Sequence, residues 1–216
     1  MTDPSPPTQI NPRPSGAPAF LWALVGIMAA IELVLSLAEA GYIGTPDWRW
    51  SALLVGAFWQ PVFSGAVAPV YPGQRAVMCV SYAFLHGGLM HLALNGVVLL
   101  SLGKLAASRL GTARTLLVLL LSAVGGALAF GLLASTNVPM IGASGAVFGL
   151  IGLWQAWDYG MRREYGLPLR PVISAILALI AANIVLALFL GGGLAWEAHL
   201  GGWLVGCLAG QNFARR

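Results

Sequence analysis

Charge is what this chain has least of. Only 8% of its 216 residues are Asp, Glu, Lys or Arg, against about 25% in ordinary soluble domains. Beside 58% hydrophobic residues, that scarcity excludes a water-soluble globular fold. The only cysteines are Cys79 and Cys207. They are too few for a disulfide framework, and they stand apart from carboxylate or histidine clusters, so no metal site is expected. The net charge of +4 forms neither a stripe nor a tail, which argues against nucleic-acid binding.

What fills the chain is apolar sequence in runs that approach the roughly 20 residues needed to cross a bilayer as a helix. Six runs are expected to span, at about 19–38, 88–108, 115–134, 143–160, 171–190 and 196–213. The expected fold is an all-α polytopic membrane bundle of six transmembrane helices occupying residues 19–213. The polar, proline-rich stretch 1–18 is expected to be a disordered tail. No small-residue cleavage signature precedes Glu39, so the first run reads as a retained span.

Charge placement orients this scheme. Arg13, Lys104, Arg109, Arg114, Arg162, Arg163, Arg170, Arg215 and Arg216 fall on one side, while Arg49 and Arg75 fall on the other. The positive-inside rule then puts both termini in the cytoplasm. The long first outer connection, about 41–85, holds Trp48, Trp50, Phe58, Trp59 and Phe63 among prolines. It reads as a partly membrane-embedded element, because tryptophan favours the headgroup level. A further crossing through 50–67 would invert every later loop and destroy the charge asymmetry.

A few polar residues stand inside the apolar runs, where such groups usually serve a function. Ser144 lies between Gly142 and Gly145, at the expected start of a helix. Free backbone N–H groups and the positive dipole end are available there to an oxyanion. Gly142 also permits backbone shapes that a larger residue resists. His91 and Asn95 are four residues apart and share a helical face. His199 opens the last run.

The basic borders serve as a ruler for depth. Arg162 follows Ser144 by 18 residues and Arg109 follows His91 by 18, each roughly 27 Å of helix. Arg215 follows His199 by 16 residues, or roughly 24 Å. Against a hydrocarbon thickness of about 30 Å, all three polar groups share one level just below the outer border. Glycines repeat at four-residue spacing directly after two of them: Gly145 and Gly149, then Gly202, Gly206 and Gly210. Small residues so spaced let helices approach closely in lipid. If the two rows pack together, hydroxyl and imidazole become neighbours.

Serine, histidine and convergent donors are the parts of an acyl-transfer site. Ser144 reads as nucleophile and His199 as general base. No carboxylate completes a triad: Glu197, two residues from His199, points to another helix face. Glu32 and Glu39 belong to the first run, with no assigned part. A Ser–His dyad is the economical reading.

These motifs together resemble the rhomboid family of intramembrane serine proteases, in its short bacterial six-span form. The matching residues are His86-Gly87-Gly88-Leu89-Met90-His91-Leu92-Ala93-Leu94-Asn95, Gly142-Ala143-Ser144-Gly145 and Ala198-His199-Leu200-Gly201-Gly202-Trp203-Leu204-Val205-Gly206. The resemblance implies that His91, Asn95 and the Ser144 amide stabilise the oxyanion. It gives His86 a structural part and puts Phe148 beneath the catalytic histidine, where the family often has tyrosine. It further implies transmembrane segments of other proteins as substrates, cleavage near the outer face of a bacterial inner membrane, and no metal or organic cofactor. The first outer loop lacks a clear Trp-Arg pair in the expected register, Gln74-Arg75 being its nearest basic feature. The competing reading is a relative that grips transmembrane segments without cutting, although such relatives usually lose the serine or the histidine. A small transporter is a third class, but it would show paired broken helices, and the two halves do not repeat.

Overall fold

A computed structural model describes residues 16–189 and 193–213. Most of the expected tail lies outside the described residues, as do Arg215, Arg216 and residue 190 of the fifth expected run. The regular structure is helical: α1 (Ala19–Glu39), α2 (Trp48–Gly56), α3 (Gln60–Ser64), α4 (Gln74–Ser81), a 3-10 turn (Tyr82–Phe84), α5 (Leu89–Leu133), α6 (Ser144–Glu164), α7 (Arg170–Phe189) and α8 (Trp196–Phe213). One isolated antiparallel bridge pairs Phe58 with Met140.

The expected count of six spans is corrected here. Among the described residues, three helices are long and apolar enough to cross a membrane: α1, α5 and α7. The reason lies in what the other long helices are made of. Asp158, Arg162, Arg163 and Glu164 crowd the end of α6. Four glycines, together with Glu197, His199, Gln211 and Asn212, dilute the apolar content of α8. These helices spend their surfaces on protein contact and on polar groups. The two runs expected at 88–108 and 115–134 fall in one element, α5, interrupted at Gly111 by non-helical φ 78° and ψ 171°. The protein is therefore an all-helical, multi-span membrane protein with three candidate spans, and the six-span form is set aside.

Gly111 turns α5 back along itself, at a positive φ that a residue with a Cβ adopts only at a cost. Tyr82, just ahead of the first arm, donates its hydroxyl to the Ala123 carbonyl on the second at 2.9 Å. Several elements meet at the bend end of the bundle. Gly103 touches Leu21 of α1, Arg109 stacks over Trp157 of α6 at 4.8 Å, and Arg114 lies over Phe213 of α8 at 5.7 Å. The main core, including Leu21, Met28, Leu99, Val118, Leu150 and Leu153, lies between these elements.

The two glycine rows do pack together. A Cβ on Gly202 would land on the Gly145 carbonyl oxygen, and one on Gly206 on the Gly149 carbonyl oxygen. Gly201 meets the Gly125 carbonyl of α5 in the same way. Backbone against backbone is the closest approach helices can make, and in lipid such packing replaces the missing hydrophobic drive. By contrast α7 buries only Val172, so its apolar surface faces outward.

The long first connection, about 41–85, is folded, not open. Arg49 of α2 bonds both oxygens of buried Glu32 on α1, at 2.9 and 3.1 Å, and the His86 carbonyl at 2.9 Å. It also pairs with Glu39 at 2.7 Å. The hydrogen bond to Glu32 holds the Arg49 pKa above its ordinary value, against the opposing effect of partial burial. Gln74, fully buried, donates to the Leu54 carbonyl at 2.7 Å, and Arg75 to the Val62 carbonyl at 2.9 Å. Anchoring thus falls to Arg49, in the Trp48-Arg49 pair that opens α2, as well as to Gln74-Arg75. The missed pair was legible as a cation between two tryptophans, facing two acidic residues on the first apolar run.

Candidate active site

Ser144 is the first residue of α6, half-buried at the helix mouth. The segment leading into it is held on three sides. Phe58 and Met140 exchange backbone hydrogen bonds of 2.9 and 3.0 Å, and the Gly142 N–H donates to the Tyr82 carbonyl at 3.0 Å. The Ala143 N–H makes a longer contact, 3.5 Å, with His86 Nε2. The first intrahelical bond runs from the Val147 N–H to the Ala143 carbonyl, so the Ser144 amide lies ahead of the ladder. A helix start of this kind leaves N–H groups and the positive dipole end for an anion.

His199 sits in the first turn of α8 and is buried to 6% exposure. Its imidazole lies on the Phe148 ring, with centroids 3.9 Å apart and planes 8° from parallel. Phe148 is four residues beyond Ser144 and therefore on the same side of α6. Among the described residues no hydrogen bond joins Ser144 to His199. Phe148 is what links them, and catalytic hydrogen bonds are often loose before substrate arrives. The Nδ1 of His199 instead meets Asn183 Oδ1 at 2.6 Å.

His91 and Asn95 lie on the first arm of α5, one turn apart, with the Asn95 amide donating to the His91 carbonyl at 3.2 Å. Both side chains face Gly142. A Cβ placed there would come within 2.6 Å of His91 Nε2 and 3.7 Å of Asn95 Nδ2. The Gly87 N–H points at His91 Nδ1 over 3.5 Å, a long contact that favours the proton on Nε2, the atom turned toward Gly142. His86 is fully buried with its ring edge-on to His91, centroids 5.0 Å apart. A cavity of about 450 Å³ opens beside His199, lined by Phe148, Ile180, Asn183, Trp196 and Trp203 among others.

The serine, both candidate oxyanion side chains, His86, Phe148 and His199 are thus gathered at one end of the bundle, opposite the Gly111 bend. Asn183 was not read from the sequence. Its signal was available: it is the single amide in the apolar run of α7, and polar groups in such runs are rare without a purpose. Glu32 and Glu39 are both paired with Arg49, which accounts for the two carboxylates left without a part.

The fold and this constellation define a helical membrane protein with a serine and a histidine gathered at one end of the bundle. A Rhomboid domain matches residues 74–216, two-thirds of the chain. The chain belongs to the rhomboid family. RHOMBOID-like protein 4 of Arabidopsis thaliana is 32% identical over 148 residues, covering 67% of this chain and 36% of that protein. Rhomboid protease GlpG of Yersinia pestis is 33% identical over 130 residues, covering 60% of this chain and 45% of that protein. The chain spans less than half the length of these relatives.

Proposed function

We propose that this protein is an intramembrane serine endopeptidase that cuts transmembrane segments of other membrane proteins near the outer membrane face. The observation that carries the reading is the stack of His199 on Phe148, which holds an imidazole against the wall of α6 one turn from the Ser144 hydroxyl. In this mechanism a substrate helix unwinds at its end, since irregular backbone at membrane depth needs protein or water around it. His199 Nε2 takes the Ser144 proton while Oγ attacks the scissile carbonyl. The carbonyl oxygen gains the charge and is met by His91, Asn95 and the Ser144 N–H. The imidazolium returns its proton to the leaving amine as the C–N bond breaks. Water, deprotonated by His199, then releases the acyl group and restores the serine.

Gly142 keeps room for the His91 ring, and His86 steadies the turn before Ser144. Neither a metal nor an organic cofactor takes part in these steps. The basic end at the Gly111 bend faces the cytoplasm in this reading. Leu21 and Phe213 both pack at that end, which supports cytoplasmic termini, and the family resemblance supports a bacterial inner membrane as the setting.

The test is fluorophosphonate labelling, together with cleavage of a transmembrane substrate in liposomes, for wild type, Ser144→Ala and His199→Ala. Labelling and cleavage lost in both variants support the dyad. Cleavage by Ser144→Ala at the wild-type rate would sink it, and binding without any cleavage by wild type would favour a non-cutting relative.

A further inference from the structure

We propose that Asn183 is a positioning residue for His199. Its Oδ1 accepts the Nδ1–H and so leaves Nε2 bare, the nitrogen that takes the Ser144 proton in the reading above. The inference rests on the dyad reading above and adds a third group to it.

The Asn183 amide has a definite orientation. Its Nδ2 donates to the Leu179 carbonyl at 2.9 Å, one turn back on α7. Flipping the amide would bring Oδ1 against that carbonyl, oxygen to oxygen. The oxygen therefore faces His199 Nδ1, at 2.6 Å. A lone pair on Nδ1 would repel it, so Nδ1 carries the proton. In neutral imidazole the other nitrogen is then the acceptor, which is the form a general base requires.

The stack on Phe148 cannot do this alone. It fixes the plane of the ring, but a half-turn about Cβ–Cγ preserves that plane while exchanging Nδ1 with Cδ2 and Nε2 with Cε1. Only an in-plane contact at Nδ1 tells the two orientations apart, and Asn183 supplies it. Together the two residues set both plane and direction, as an asparagine does beside the histidine in some cysteine proteases. A neutral amide does so without adding a charge to an apolar cavity, where a carboxylate would be costly.

The contact also ties α7 to the chemistry. Among the described residues it is the one side-chain hydrogen bond from α7 to another helix. Displacing α7 outward would release His199 from its oriented state, so that the seat of α7 and the readiness of the base go together.

A purely structural contact between α7 and α8 would look the same in a stability measurement, so the test must read the imidazole. Full-length protein with ¹⁵N-labelled histidine is compared as wild type, Asn183→Leu and Asn183→Asp, with His199→Gln assigning the His199 resonances. In wild type the ¹⁵N shifts should show the Nδ1-protonated tautomer at His199, and Asn183→Leu should lose that signature. Cleavage of a transmembrane substrate by Asn183→Leu should fall at least about tenfold in kcat with KM unchanged, and Asn183→Asp, which keeps the acceptor, should recover most of the loss. Leucine fills the site better than a carboxylate, so a packing role predicts the reverse order.

An Nε2-protonated tautomer in wild type overturns the proposal even if the variants fail to fold, as does equal kcat for Asn183→Leu and wild type. Retained cleavage in His199→Gln would instead fail the dyad reading, while the tautomer still decides what Asn183 does.

Discussion

His199 and Phe148 lie face to face, 3.9 Å apart and 8° from parallel, although 51 residues separate them in the chain. That contact joins the serine-bearing helix to the histidine-bearing one at the level where both begin. It exists because Gly145, Gly149, Gly202 and Gly206 let α6 and α8 touch backbone to backbone just beneath it.

Removing the ring should loosen the base without unfolding the bundle. Phe148→Ala is expected to lower kcat about tenfold, because an aromatic pair contributes about 0.5–1.5 kcal/mol and 1.36 kcal/mol is a factor of ten in rate. Phe148→Tyr keeps the face and should stay near wild type. Steady-state cleavage in liposomes checks both, and equal rates for alanine and wild type would mean that the stack does not orient His199.

The glycine contact makes a sharper forecast. Gly202→Ala and Gly206→Ala each drive a methyl into a backbone carbonyl that has no rotamer to escape with. Each should cost about 3 kcal/mol, the upper part of the usual range for overpacking. Gly26 of α1 has nothing within 4 Å of its notional Cβ, so Gly26→Ala should be neutral or should stabilise by about 0.5–1 kcal/mol. Thermal melts in one detergent compare the three, and equal melting for all would show that α6 and α8 have slack.

How far the sequence carried can be judged from these same residues. Helix positions and the two glycine rows were legible because spacing of four on a helix is a geometric statement. The gathering of Ser144, His91 and His199 at one end of the bundle was legible because rise per residue is fixed. The number of spans was not, because residues used for contact and chemistry, such as Gly201, Gly202, Asp158 and His199, remove apolarity from the helices that carry them. The break at Gly111 was legible, because Arg109 and Arg114 interrupt the apolar sequence between the runs at 88–108 and 115–134. Asn183 and Arg49 were missed for a different reason. Each acts through a partner distant in sequence, His199 and Glu32, and no local pattern announces such pairs.

The Arg49–Glu32 pair can be separated from the site by mutation. Glu32 is fully buried, so Arg49→Ala strands a carboxylate and should destabilise the fold by about 3 kcal/mol. Glu32→Gln alone leaves Arg49 its Glu39 partner and should cost less. The double variant should be more stable than Arg49→Ala, because the uncompensated charge has gone. Chemical or thermal unfolding of the four proteins closes the cycle. Strict additivity would show that the two residues do not stabilise each other.

Gly142 is where fold and chemistry make the same demand, that no Cβ be present. Its φ of +111° disfavours any residue with a Cβ, and that Cβ would fall 2.6 Å from the His91 ring. Gly142→Ala should therefore displace His91 and lower kcat about 10²–10³-fold, the cost of losing one oxyanion donor, with KM little changed. The effect should not add to that of His91→Ala. Once the ring is gone, the methyl has nothing to push, and Gly142→Ala in that background should cost only the backbone strain of about 1–2 kcal/mol in stability. Kinetics of the four proteins read this directly. Multiplying effects on kcat would mean that Gly142 serves the Ser144 turn and not His91, whereas the expected plateau ties the glycine to the space its absent side chain leaves for the imidazole.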